Sequence, residues 1–452
     1  MRRRLDAPAP RRPASGRRPA PRAARASDER GAPRRRRRGR ARAAALDRSR
    51  PMPHPGEPLR PDGVRDGTRD GRPSPVPAAM TRRSASAQLM PLDEARALLL
   101  AGLAPVPPEA VPVHDAVGAP LARDLPAPEG RPARRLALRD GYAVEAAAIT
   151  GAAPQAPVRL PRGLAWIEAG EILPEGSDTV LPPESVLEGE AVADAAPGEG
   201  ARPAGGDIPA GHLLGRAGER ATALQALALA SAGFAEVPVR RPAVLLLVTG
   251  AETPDLLSPL LASLLAREGA RVVRAARLPD DPGAVAAALT DSAAAALPEG
   301  AAATFLVGGS GPGRSDRSAE GLARAGAVAA HGIALRPGET AGFGAVAGRP
   351  VLLLPGRPEA ALALHLALGR PLLAALAGTV PPAPAPAPLR RKIASAIGLS
   401  EVVFVRRSAE GAEPLGGADI PLARLARADG AVLVPPAREG YAKDTVVEVL
   451  PL

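Results

Sequence analysis

Three loops in the second half of the chain share one design: an apolar run stops abruptly at glycine or proline, and a helical pattern follows. They are AVLLLVTGAE (243–252), TFLVGGSGPGRSD (304–316) and VLLLPGRPEAA (351–361). Strands apolar on both faces belong to parallel sheets covered by helices on either side. The pattern therefore predicts a doubly wound α/β domain, whose post-strand loops gather at the carboxyl edge of the sheet, where ligands bind. Glycine lets backbone approach an anion closely there, and helix N-termini supply N–H donors. A phosphorylated or oxyanionic small molecule is thus expected at Gly250, at Gly308, Gly309 and Gly313, and at Gly356. Four glycines in the six positions 308–313 exceed what a tight turn alone needs.

A chain of 452 residues suggests two to four domains. Its hydrophobic share is 46% but aromatics make up only 2%, so the core must be built from Ala, Leu and Val, which suits helix-covered parallel strands. The absence of Cys excludes disulfides, a thiolate nucleophile and sulfur-ligated metal, and agrees with a cytoplasmic protein. The five histidines (His54, His114, His212, His331, His365) are scattered without metal-ligand spacing, and no Ser–His–acid arrangement can be built from them. No apolar segment follows the basic start, and no uncharged run reaches membrane-span length, so neither a secretory signal nor a membrane partner is expected. The most apolar helical pattern, 360–377, is interrupted by His365, Arg370 and Pro371 and reads as a buried helix.

The net charge of +11 is concentrated at one end. Residues 1–50 hold 19 Arg against 4 acids and residues 51–79 hold four of each, which leaves 80–452 mildly acidic at −4. The stretch 1–89 is Arg/Pro-rich without apolar periodicity and is expected to be disordered. Two readings of it stand: an adaptor that binds nucleic acid or an anionic surface by counterion release, or upstream GC-rich DNA read through ahead of a start at Met80 or Met90. The chain's 56 Arg against two Lys (Lys392, Lys443) suit such coding DNA. Basic runs without interleaved aromatics are weak nucleic-acid signals, so no nucleic-acid partner is expected.

Helical spacing begins at Met90, with Leu92, Ala95, Leu98 and Leu99 on one face and Asp93 and Glu94 in the first turn. Residues 111–121 read as a short strand and turn leading to a second helical piece at 119–124. Short β runs split by Gly and Pro follow to about Arg202, and TALQALALASAG (222–233) reads as a helix. These patterns divide the chain into a linking domain (90–120 and 203–238), a β-rich insertion domain (121–202), the α/β domain (239–378), a Pro-rich linker (379–388) and a small C-terminal β domain (389–452). Within the α/β domain, strands are expected near 244–248, 271–275, 304–307 and 351–354. Helices are expected near 254–268, 282–297, 316–325 and 359–377.

Eight short segments in this order resemble the molybdopterin molybdotransferase family, related to the E domain of gephyrin. LRDGYAV (138–144) resembles the family's MDGYAV, LPEGSDTVLPPE (173–184) its LPEGADAVVPVE, and GGDIPAGHLL (205–214) its GEDI–G–LL stretch. RRPAVLLLVTGAE (240–252) resembles the first strand with its TGDE loop. GGSGPGRSD (308–316) stands for GGVSVGDYD, ALRPGET (334–340) for AMKPGKP, LPGRPEAA (354–361) for LPGNPVSA, and 425–441 for the terminal β domain.

The resemblance implies a MogA-like, molybdopterin-binding α/β domain in a multidomain α/β protein. It also implies insertion of molybdate into adenylylated molybdopterin with release of AMP, in the presence of Mg2+. Asp140, Glu252 and Asp316 match the family's acids as catalytic residues, and Glu252 and Asp316 as holders of the metal. Gly250, Gly308, Gly309, Gly313, Arg336, Pro355, Gly356 and Pro358 match its cofactor-binding positions. It further implies a homodimer in which Asp140 enters the partner's site. Each acid also has a local reading: Asp140 can cap an Asp-Gly turn, Glu252 can complement a helix dipole and Asp316 can N-cap a helix. Trp166 reads as a packing residue.

The departures from the family pattern lie at polar positions. A threonine is replaced by Ala169, the Asp of TGDE by Ala251, and the first acid of GDYD by Arg314. The second lysine of KPGKP is Glu339, the Asn of PGNP is Arg357, and the Ser of PGNPVS is Ala360, preceded by Glu359. The glycine scaffold is kept while its lining changes, which leaves open a molybdopterin-binding paralogue that inserts no metal.

Overall fold

A computed structural model describes residues 89–250, 255–294, 301–309 and 317–452. The Arg/Pro-rich stretch up to 88 lies outside the described residues. The first helix, α1 (Leu92–Leu100), buries Leu92, Ala95 and Leu99 on the face that the spacing marks out and carries Asp93 and Glu94 in its first turn. Strand β1 (Glu109–Pro112) follows. A helix at 119–124 does not form. Pro120 bridges Arg220 and Leu121 bridges Val239, and Leu121 is fully buried. Proline disfavours the helical conformation of its neighbour, and burial of Leu121 through tertiary pairing outweighs a weak local helix preference.

The insertion holds β2 (Gly141–Val144), β3 (Trp166–Ile167) and β4 (Thr179–Leu181), ordered β3-β2-β4 in one antiparallel sheet. Alternation splits its apolar residues into two small cores. Ala143, Ile167 and Val180 belong to one, and Val144, Leu181, Ile149 and Leu160 to the other. Trp166 is not buried in either: it is 49% exposed and meets Tyr142 edge-on, with ring centroids 5.2 Å apart. The chain returns through α2 (Ala223–Ser231) and β5 (Glu236–Val239), which pairs antiparallel with β1. Thr222 caps α2 in a capping box: its hydroxyl accepts from Gln225 N at 3.1 Å while Gln225 Oε1 accepts from Thr222 N at 2.9 Å.

The α/β domain contains β6 (Ala243–Thr249), α3 (Leu257–Arg267), β7 (Arg271–Leu278), α4 (Pro282–Ala294), β8 (Ala303–Val307) and α5 (Ser318–Ala325). It continues with β9 (Ala327–His331), β10 (Leu335–Arg336), β11 (Gly342–Val346), β12 (Arg349–Leu354) and α6 (Pro358–Leu364). A π-helical turn (His365–Gly369) then leads into α7 (Arg370–Ala377). The sheet order is β7-β6-β8-β12-β11-β9. The first four strands are parallel; β11 and β9 add an antiparallel edge that the sequence reading did not contain.

Alternate residues of β6 face opposite layers. Val244 and Leu246 pack with α3, α6 and α7, whereas Leu245 and Leu247 pack with Val285 and Leu289 of α4 and Leu322 of α5. Helices therefore cover both faces, as the doubly wound pattern predicts. The stretch 358–377 has the length and hydropathy of a membrane span, but 89% of an 18-residue window within it is buried in the protein. It is the core helix that the sequence suggested.

His365 and Arg370, which interrupt that apolar run, face a buried acid. Arg370 Nε donates to Glu268 Oε1 at 2.6 Å and its Nη1 to the Pro451 carbonyl at 2.8 Å. Arg220 Nη2, from the segment before α2, donates to the Glu268 carbonyl at 2.7 Å. Burial, helped by Arg370, lowers the His365 pKa to about 3. The ring is therefore neutral, and its 4.0 Å approach to Glu268 is not an ion pair.

The terminal part contains β13 (Ala385–Pro388), β14 (Ser400–Ser408), β15 (Gly411–Gly416), α8 (Leu422–Leu425), β16 (Gly430–Val434) and β17 (Val446–Pro451). The order is β10-β14-β16-β17-β13. The second half of the proline tract is thus a strand as well as a spacer. It sits at an edge, where Pro386 and Pro388 remove no ladder bond that an interior strand would need.

Candidate functional site

Register brings the strand ends together. Val248 of β6 lies opposite Val307 of β8, and Val307 lies opposite Leu354 of β12. The loops beginning at Gly250, Gly308 and Pro355 therefore leave the same edge side by side. The chain goes from β6 outward to β7 and returns to the other side of β6 as β8, so the reversal of strand order falls between the first two of these loops.

Gly308 and Gly309 have φ of +87° and +60°. A Cβ on Gly308 would lie 2.8 Å from the Thr249 carbonyl oxygen and 3.0 Å from its hydroxyl. A Cβ on Gly356 would come within 3.7 Å of Gly308 Cα. Ser318, opening α5, fixes this corner: its N–H donates to Gly309 O and its hydroxyl to Gly308 O, both at 2.8 Å. Gly308 N donates to Leu354 O at 2.9 Å. Among the described residues, the N–H groups of Gly309, Gly356 and Arg357 donate to no partner. The result is a set of closely packed backbone corners with free donors, the geometry of an anion cradle.

Cationic side chains flank it. Arg277 Nε donates to the Gly250 carbonyl at 2.6 Å. Arg357, the residue before Pro358, directs Nη2 at Asp419 Oδ1 and Glu359 Oε1, 2.6 Å from each. The Glu359 approach lacks hydrogen-bond geometry, and Oε1 has no hydrogen-bond partner. Its side chain is only 7% exposed, whereas that of Asp419 is 74% exposed. The hydrogen bond to Asp419 is the main reason the Arg357 pKa is raised. Arg336 is half-buried on β10, whose strand packs against α6 and pairs with β14 at Glu401. Glu339, the charge reversal beside it, turns Oε2 back to accept from Gly338 N at 3.0 Å.

Apart from Arg336 on β10, the expected residues divide into three groups. Gly250, Gly308, Gly309, Pro355, Gly356 and Pro358 converge. Glu252, Gly313 and Asp316 lie outside the described residues. Asp140 sits in the insertion, where its Oδ1 accepts from Ala169 N at 2.8 Å; its bond joins two separate loops rather than closing the Asp-Gly turn. The sheet following Asp140 pairs only within the insertion. Among the described residues no three His, Asp or Glu side chains converge to hold a metal. Sequence reasoning did not identify Thr249, Arg277, Ser318, Glu359 or Asp419 as parts of this corner. Asp419 carries no signal in the sequence, because its contact spans 62 positions.

Comparison with known proteins gives a consistent picture. Residues 90–233 match the family described as "MoeA N-terminal region (domain I and II)". Residues 246–375 match that described as "Probable molybdopterin binding domain". Molybdopterin molybdenumtransferase 2 of Mycobacterium tuberculosis is 32% identical over 309 residues, covering 59% of this chain and 74% of the relative. A molybdopterin molybdenumtransferase of Synechococcus elongatus is 30% identical over 319 residues, covering 62% and 78%. Among solved structures, a molybdopterin biosynthesis MoeA protein from Pyrococcus horikosii superposes with a TM-score of 0.64 at 26% identity, covering 80% of this chain and 99% of that one.

Proposed function

This chain belongs to the molybdopterin molybdenumtransferase family, and on that footing we propose that it inserts molybdate into adenylylated molybdopterin and releases AMP. Its place is in molybdenum cofactor biosynthesis. The observation that carries the reading is the cradle, where three in-register strand ends bring Gly250, Gly308, Gly309 and Gly356 together and, among the described residues, leave the N–H groups of Gly309, Gly356 and Arg357 without partners. Such a corner suits the phosphate oxygens of the substrate.

In this reading the backbone donors orient the phosphates, and Arg336 neutralises charge on the oxyanion through parallel hydrogen bonds. Magnesium, held through Glu252 and Asp316, would offset the remaining phosphate charge. Asp140 acts at the site of a second copy of the chain. The separation of its sheet and cores from those of the α/β domain supports that assignment. The proposal is of a cytoplasmic homodimer.

The test is AMP release from adenylylated molybdopterin by the full chain with magnesium and molybdate. Asp140→Asn is expected to cut turnover by about 100-fold or more, the scale of a lost acid–base group, with little change in thermal stability. Unchanged turnover would remove Asp140 from the site. The replaced polar positions, Ala169 and Arg357 among them, favour a second reading, a molybdopterin-binding paralogue. Tight ligand binding with no AMP released would establish that reading instead.

A further inference from the structure

We propose that Arg357 is an oxyanion-binding residue of the cradle and that Asp419 occupies it as an internal competitor until ligand arrives. The proposal deepens the reading above and rests on it. The ligand chemistry is a tetrahedral oxyanion: either the phosphate of a nucleotide or molybdate itself.

The argument starts from the unequal surroundings of the two carboxylates on Arg357. Glu359 is buried, and its Oε1 has no hydrogen-bond partner and only the guanidinium opposite it. Separating those charges would leave a carboxylate uncompensated in the interior, so Glu359 anchors Arg357. Asp419 and Arg357 are both largely exposed, 74% and 62% for their side chains. Exposed pairs of this kind contribute little and exchange readily with a competing anion.

Both carboxylates meet the same nitrogen, Nη2, and a guanidinium has five N–H donors in a planar fork. The fork belongs to the residue whose own N–H is one of the three free donors, so an oxyanion seated on Gly309, Gly356 and Arg357 would draw on it. The oxyanion would replace the Asp419 oxygen while Glu359 holds the charge in place. Asp419 belongs to the terminal β part, between β15 and α8, so ligand binding would release a tie between that part and the cradle.

Calorimetric titration of the full chain with AMP, and separately with molybdate, tests this. Asp419→Asn removes the competitor and is expected to tighten binding of the recognised anion about two- to fivefold, the scale of one exposed ion pair. Arg357→Gln is expected to weaken that binding at least about tenfold, as loss of a charge-assisted hydrogen bond does. Arg357→Lys should recover part of the loss. Because Arg357→Gln strands Glu359, the double variant Arg357→Gln/Glu359→Gln separates lost binding from lost folding: it should fold like the parent and still bind weakly.

The arm that responds identifies the source, phosphate or molybdate. Weaker binding in Asp419→Asn would overturn the competitor role. Unchanged affinity for both anions in the double variant would overturn the role of Arg357 while leaving molybdopterin binding intact. A parent chain that binds neither anion nor adenylylated molybdopterin would overturn this inference and the functional reading together.

Discussion

The tightest constraint on a single residue is at Gly308, where positive φ and a carbonyl 2.8 Å from the Cβ position act together. The obstructing atom is backbone from the neighbouring strand end and cannot rotate away. Gly308→Ala is therefore expected to cost about 2–4 kcal/mol, combining left-handed strain with overpacking. Urea unfolding reads this as a lower midpoint; a midpoint unchanged from the parent would mean that the corners are not packed as described. This glycine was legible in the sequence, because Gly-Gly after an apolar strand has few other uses. The charges facing it were not. Arg357 stood out only as a departure from PGNP, and Glu359 beside it as a second one, with nothing to show that the two meet. Once one is buried and the other anchored to it, they form a single compensated pair.

At the level of the element, the helical stretch from Pro358 to Ala377 shows why apolar pattern reveals a helix but not its polar contacts. Its burial followed from composition. His365 and Arg370 looked like interruptions, yet Arg370 is where this stretch joins Glu268, and through it Arg220 and the Pro451 carbonyl. Both ring nitrogens of His365 lack hydrogen-bond partners, and burial lowers its pKa to about 3 from the ordinary histidine value of 6.5. As pH falls below about 6.5, the unfolded chain takes up a proton that the folded chain refuses. The stability tied to this residue is thus complete above about 6.5 and is lost progressively towards 3, at up to about 1.4 kcal/mol per pH unit. His365→Leu is expected to flatten the stability profile between pH 6 and 4, where denaturant midpoints are easily measured. Profiles that run parallel would show that the imidazole is not buried neutral. The antiparallel edge β9–β11 was missed for a related reason: AVAAH and GFGAV are rich in small residues, which carry little strand preference of their own.

The cores divide the described residues differently from the sequence boundaries. One continuous cluster contains Leu92 and Leu99 of α1, Leu246 and Phe305 of the α/β sheet, and Leu364 and Leu372 from the α6 and α7 stretch. It also contains Val402, Phe404 and Leu415 of the terminal sheet. Strand β10 pairs across the same junction, and Arg267 and Arg370 hold the carbonyls of Leu452 and Pro451. Removing the terminal sheet would strip apolar cover from the α/β core, so these parts should unfold together. The insertion cores, built on Ala143, Ile167 and Val180 and on Val144, Ile149 and Leu181, share no residue with that cluster. Little apolar surface couples the two bodies, and coupling through shared core is what makes unfolding all-or-none. Scanning calorimetry of the full chain should therefore resolve a separate, smaller transition for the insertion. Its enthalpy should be on the order of 60 kcal/mol, as expected for the length of 121–202 at about 0.7 kcal/mol per residue. A substitution inside the insertion core, Ile167→Ala, should move only that transition, while Phe404→Ala should move only the larger one. If either substitution shifts both peaks equally, or a single peak obeys two-state enthalpy, the insertion is bound into the main body. Asp140 would then be fixed by its own subunit rather than free to serve another.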